Sequence, residues 1–280
     1  MKFERTYVSN FENAFRGLRN PLESWAKSDS VFGIGHVYDD NDDDWFVAEA
    51  YCEANNINVR NDDLYYDKEE EYAEWLRNNG ITRWDGDNFE YSYIGPKDLD
   101  LAHRMIKAGT SDSKFLRQIN VSVDITAPLY WWSEFDTYKI GTVANSTSKM
   151  HKLSTTPITL DRFETDDYNK TLPIYENICN GREDGVFDYF IDDFTSEFIK
   201  HLEALRKKYL ETKDKRYWKE LIRWLPEGWL QTRTVTMNYA VLRNIYFQRL
   251  HHKLSEWRQF CDWVESLPYA ADLIIYTGKN

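Results

Sequence analysis

The chain has 280 residues, 42% hydrophobic and 16% aromatic, which is enough apolar material for one large core or two modest ones and too much for a disordered chain. It sets 35 basic side chains against 47 acidic ones, and this formal net charge of -12 argues against a broad contact with nucleic-acid phosphates, which needs clustered cations. A small anionic ligand, held by a few local cations, stays within reach.

The opening Met1-Lys2-Phe3-Glu4-Arg5 begins no apolar run of signal-peptide length, and no later segment is apolar for the roughly 20 residues a bilayer requires. The expectation is a cytoplasmic protein that does not associate with membranes. Cys52, Cys179 and Cys261 lie far apart, without the short-spaced pair of a zinc or redox motif, and read as buried thiols in a reducing compartment. The acidic run Asp39–Asp44, broken by Asn41, invites comparison with a calcium loop. Where such a loop needs Gly and a bidentate Glu, this chain has Asp44 and Ala50, so a solvated acidic loop is expected and no metal.

In chain order, helical spacing is expected over Tyr65–Asn78, stopped by Gly80, and again over Leu99–Ala108, capped by Asp98 and ended by Gly109. Between Gln118 and Thr126, Ile119, Val121, Val123 and Ile125 alternate with polar residues, the period of a strand with one face on a core. Ala127-Pro128 should break it before an aromatic stretch through Trp131, Trp132 and Phe135. A long helix is expected from Phe187 to Tyr209, since Phe187, Phe190, Ile191, Phe194, Phe198, Leu202, Leu205 and Tyr209 keep to one face. Asp214 should cap a further helix running to Trp224. Trp229–Met237 reads as a strand or an extended Thr-rich loop, and Asn238 as the N-cap of a helix through Lys253.

On that last helix Asn238, Leu242, Ile245, Arg249 and Lys253 fall near one line. A cation on a partly apolar face needs a partner, and two readings of Arg249 stand open: a pair with a carboxylate such as Glu256, or a ligand contact. His251 and His252, adjacent in sequence, cannot both face one metal and read as surface or interface residues. The chain has no Gly-rich phosphate loop, no His-Glu-x-x-His and no Gly-x-Ser-x-Gly.

The run from Leu225-Pro226 through the Thr-rich stretch to Asn238, Leu242, Asn244 and Arg249 resembles the nucleotide-binding end of the flavin-dependent thymidylate synthase family, with the spacing kept without a gap. The resemblance implies that Arg249 contacts the uracil of dUMP and is the residue supporting charge there as the reaction proceeds. It implies that Asn238 and Asn244 help hold FAD. Two positions depart from the pattern: Ala240 replaces a family Arg, and Lys253 replaces a His.

A second resembling segment spans Ala127–His151. Thr137-Tyr138-Lys139 stands for the family's Arg-His-Arg, Glu134 for its Gln, and Asn145, Ser148 and Lys149 for its later Asn, Ser and Arg. Glu134, Ser148 and Lys149 are the implied substrate-binding residues beside Arg249, and Tyr138, Lys139 and Lys253 join the two asparagines on the cofactor. Tyr138 can stack through its ring on a flavin or base, or serve in ordinary aromatic packing. At a third landmark Gly109 is kept but the His after it is Thr110; Ser111, Asp112, Ser113, Lys114 and Arg117 offer either phosphate donors or a turn.

The resemblance covers roughly Leu99–Leu153 and Leu225–Leu267 and none of the chain before Tyr93. It implies one domain over residues 1–280, with a divergent part over 1–95 and a synthase-like core over 96–280. The fold implied is α+β: a twisted, mainly antiparallel sheet with long packed helices, assembled as a homotetramer. The implied activity is reductive methylation of dUMP to dTMP with FAD, NADPH and methylenetetrahydrofolate, in a diverged branch of the kind phages carry. The alternatives are a relative delivering another C5 substituent, or a non-catalytic nucleotide-binding relative that has lost FAD.

Overall fold

The computed structural model describes residues 1–36, 81–84, 88–179 and 186–278. The expected helix over Tyr65–Asn78 and the acidic run at Asp39–Asp44 lie outside them. In chain order the elements are β1 (Lys2–Ser9), α1 (Phe11–Arg19), β2 (Val31–His36), β3 (Ile81–Trp84), β4 (Asn88–Tyr93), α2 (Pro96–Ala108), β5 (Asn120–Pro128), α3 (Leu129–Phe135), β6 (Val143–Ser146) and α4 (Lys149–Thr155). There follow β7 (Pro173–Cys179), β8 (Val186–Phe190), α5 (Ile191–Thr212), α6 (Lys215–Arg223), β9 (Leu230–Asn238), α7 (Tyr239–Arg249) and α8 (Ser255–Glu265). The fold is α+β, with a four-stranded sheet in the order β1-β5-β9-β6, an antiparallel three-stranded sheet β2-β4-β3, and an antiparallel pair β7-β8. Among the described residues no helix is long and apolar enough to cross a membrane.

The chain forms two compact units, one of Met1–Lys2, Ile125–Thr137 and Asn145–Arg233, the other of Phe3–Asp124, Tyr138–Ala144 and Thr234–Asn280. In the first, α3, α4, α5 and α6 enclose Leu129, Leu153, Ile158, Leu202, Leu221 and Trp229. In the second, the helical spacing of Phe11, Ala14, Phe15 and Leu18 gives α1 a fully buried stripe, and Leu242 and Ile245 of α7 and Trp257, Phe260 and Val264 of α8 are equally enclosed. Burial of each large side chain contributes on the order of 2 kcal/mol.

The strand alternation expected before Thr126 is present in β5, where Val121, Val123 and Ile125 are at most 1% exposed. Pro128 is its last residue, and the aromatic stretch that follows folds as α3 with Trp131, Trp132 and Phe135 buried. Asp214 caps α6 by accepting from the Arg216 N–H at 2.9 Å, as its position suggested. Gly109, Ser111 and Asp112 form a turn, closed by the Asp112 and Ser113 amides on the Gly109 carbonyl.

Three boundaries differ from expectation. Phe187 and Phe190 belong to β8, and the long helix begins at Ile191 because Asp193 accepts from the Phe190 N–H at 2.9 Å. Asp98 does not cap α2, which starts earlier at Pro96; the capping carboxylate is Asp29, accepting from the Lys97 and Asp98 amides at 2.9 and 3.1 Å. Asp98 is instead fully buried against Arg19 Nε at 2.5 Å, its second oxygen accepting from the Ser28 and Ser30 hydroxyls at 2.5 and 2.6 Å. The helix through Arg249 stops there and does not reach Lys253, since His252 Nδ1 accepts from the Leu254 N–H and Arg258 donates to the His252 and Lys253 carbonyls.

Two outcomes follow from this packing. Arg19→Met leaves a buried carboxylate without its cation and should lower unfolding free energy by about 3–5 kcal/mol, read from the shift of the urea midpoint. Burial in α8, reinforced by Asp262 and Glu265, pushes the Cys261 thiol up to about 11. At pH 8 only about one molecule in a thousand then carries the thiolate, so Cys261 should resist a disulfide reagent in the native protein and react on denaturation, as mapped by peptide mass.

Candidate functional site

The second unit builds its polar cluster on the β9–α7 junction. Asn238 ends β9 in an extended conformation, and its side-chain oxygen accepts from the Val241 N–H at 3.0 Å, which fixes the start of α7. Tyr239, fully buried, anchors the first turn: its N–H donates to the Ile119 carbonyl at 3.1 Å and its hydroxyl to the Pro268 carbonyl at 2.6 Å. Burial pushes its phenol well above the usual range. Gly141 lies against this junction with φ of 75°, and a Cβ there would stand 3.0 Å from both Asn238 Nδ2 and Val241 Cγ2. Glycine is needed both for the backbone angle and for the close approach.

At the other end of α7, Arg249 Nε donates to the Tyr138 hydroxyl at 2.8 Å. Its guanidinium carbon is 4.4 Å from the Trp257 ring centroid and 5.5 Å from that of Tyr138, and the two rings meet edge to face. Aromatic faces hold a cation electrostatically while leaving N–H groups at its rim. The Tyr138 hydroxyl donates to Gln248 Oε1 at 3.1 Å, and Gln248 Nε2 donates to Asn244 Oδ1 at 2.9 Å. Tyr138, more than a hundred residues before α7, is therefore joined with Asn244 and Arg249 in one hydrogen-bonded chain.

Other sequence-predicted residues are placed differently. Lys139 is exposed beside Tyr138. Lys253 is exposed beyond the end of α7, so it is not on a line with Arg249. In the first unit, Ser148 caps α4, with the His151 N–H 3.4 Å from its hydroxyl; Lys149 is exposed in the first turn of α4, and Glu134 is half-buried in α3.

Sequence reasoning missed Gln248, Trp257 and a second arginine. Arg233 of β9 lies 4.2 Å from the Trp132 ring centroid, donates to Asp136 at 2.7 Å and to Gln231 Oε1 at 3.1 Å. Gln231 in turn accepts from the Trp132 indole through its carbonyl at 2.9 Å and donates its side-chain amide to the Thr147 carbonyl at 2.9 Å. These bonds fix the backbone that leads into Ser148 and Lys149. The signal was present, because Gln231 and Arg233 occupy the same alternating face of β9 as the buried Val235 and Met237.

The donors near Gly141 bear on FAD, the group that the resemblance implies. Beside Gly141 the Thr142 hydroxyl is buried with no hydrogen-bond partner among the described residues. Together with the Asn238 amide, the exposed Asn244 and the exposed Lys139, it makes a donor-rich set that suits the carbonyls and phosphates of a flavin nucleotide.

No family model and no curated protein matches the chain. Among solved structures, thymidylate synthase X (ThyX) from Helicobacter pylori, solved with FAD and dUMP, is similar with a TM-score of 0.52 at 14% identity, covering 98% of this chain and 97% of that one. A second structure, flavin-dependent ThyX from the same organism complexed with FAD and dUMP, has a TM-score of 0.44 at 18% identity over 64% and 83% of the two chains. At 14% identity the first likeness is one of fold: an α+β chain similar in architecture to that ThyX structure.

The Asn238 cap gives a test of the junction. Asn238→Ala removes one bond at the start of α7 and should cost about 1 kcal/mol in denaturant unfolding. A loss several times larger would mean that the Asn238 side chain carries more of the junction than this cap.

Proposed function

We propose that the chain is a flavin-dependent thymidylate synthase-like enzyme that methylates dUMP to dTMP. The observation that carries this reading is the placement of Arg249, held by Tyr138 and Trp257 at the end of α7 and linked to Asn244. The likeness in fold to a ThyX structure containing FAD and dUMP supports it.

In this reading Arg249 is the catalytic residue. Its planar donors meet a uracil carbonyl and steady the negative charge that develops on the ring, without changing protonation. Glu134, Ser148 and Lys149 are proposed as further substrate contacts. Tyr138, Lys139, Asn238, Asn244 and Lys253 would hold FAD, which when bound supplies the hydride and one-carbon chemistry, with NADPH and methylenetetrahydrofolate as co-substrates. A cytoplasmic homotetramer completes the proposal, and its mass is measurable by light scattering.

A second reading, a nucleotide-binding relative without flavin, is favoured by the position of Lys253 outside α7 and by Ala240, which leave that helix with fewer cations for a cofactor. The absorbance spectrum separates the two. Added FAD should bind and its spectrum should shift on titration with dUMP; nucleotide binding without any flavin spectrum would select the second reading. Arg249→Ala should weaken dUMP by at least about tenfold in calorimetry, the scale of a lost charged hydrogen bond, and Arg249→Lys should not restore it. Unchanged affinity in Arg249→Ala would assign Arg249 a structural role.

A further inference from the structure

We propose that Asn244, Gln248, Tyr138 and Arg249 form a directional hydrogen-bond relay in which Gln248 and Tyr138 are positioning residues, committing Asn244 to offer N–H donors to an acceptor group on a bound ligand. The ligand identity rests on the flavin and nucleotide reading above; the relay rests on geometry alone.

The direction is set by the arginine. A guanidinium has donors and no acceptor, so the 2.8 Å contact from Arg249 Nε makes the Tyr138 oxygen an acceptor. The phenol proton is then directed to Gln248 Oε1 at 3.1 Å, which turns the Gln248 amide so that Nε2 points along the helix to Asn244 Oδ1 at 2.9 Å. Gln248 and Asn244 stand one turn apart on the exposed face of α7, where nothing in helix geometry alone selects the orientation of either amide. The relay selects both. With Oδ1 engaged, Asn244 has its Nδ2 to offer, which suits a carbonyl oxygen or an unprotonated ring nitrogen and disfavours a donor N–H.

The relay also joins its two ends. Fixing Asn244 against a ligand acceptor favours the Gln248 orientation that receives the Tyr138 proton, and so favours the Tyr138 oxygen as acceptor for Arg249. A ligand at Asn244 and one at Arg249 therefore assist each other, reciprocally. The Tyr138 position, where the resembling family carries His, and the Gln248 position, which no sequence signal marked, act as one unit.

The test uses the full chain without ligand first. Solvent exchange of the Arg249 Nε proton, followed by nitrogen-15 NMR, should be slowed in the unaltered protein, lose its protection in Tyr138→Phe, and be intermediate in Gln248→Leu. The same exchange rate in Gln248→Leu as in the unaltered protein would overturn the relay. Gln248→Glu sharpens the test, because its carboxylate still accepts from Tyr138 but cannot donate to Asn244. It should keep Arg249 Nε protected and dUMP affinity within about twofold while weakening FAD by about tenfold, the scale of one misdirected hydrogen bond. Equal losses for both ligands would overturn the polarity assigned to Asn244. An unaltered chain that binds neither FAD nor dUMP sinks the flavin reading, and the exchange pattern then decides the relay by itself.

Discussion

The geometry of the candidate site depends on one local bond, that between the Asn238 side chain and the Val241 amide. It fixes the residue at which β9 stops and α7 starts. Since an α-helix advances about 1.5 Å per residue, it also fixes where Arg249 emerges near the far end of that helix. Tyr239 locks the junction from inside with bonds to Ile119 and Pro268, and Gly141 closes on it from outside. A slip of one residue would rotate Arg249 by about 100° around the helix, away from both Tyr138 and Trp257.

The site holds its arginine with aromatic surface as well as with hydrogen bonds. Tyr138 brings no charge; it engages the charge already on Arg249 by a hydrogen bond and a ring face, and Trp257 adds a second ring. In the first unit Arg233 follows the same pattern against Trp132. A chain with a net charge of -12 thus holds Arg233 and Arg249 by aromatic contacts as well as by hydrogen bonds.

Much of this was legible where the physical cause is local. The β5 alternation and the caps at Asp214 and Asn238 rest on neighbouring residues, and the mixture of helix and strand follows from them, while the α+β arrangement came with the resemblance. The misses share a different origin. Phe187–Phe190 satisfy helical and strand periods at once, and Asp193 decides between them. Lys253 fits the helical line, yet the His252 ring and Arg258 take up the backbone groups that a longer helix would need. Gln248 and Arg233 acquire their roles from partners about a hundred residues away, which a single sequence does not mark.

The carboxylate that starts α2 comes from Asp29, which lies 69 positions from the Asp98 amide it accepts. Asp98 itself is neutralised by Arg19, still further back. The first turn of α2, begun locally by Pro96, is therefore completed by loop closure, and the entropy of that closure must be met before the cap contributes anything. In kinetic terms the cap of α2 belongs to the non-local contacts of the fold, so its contribution waits on the docking of the segment from Arg19 to Ser30.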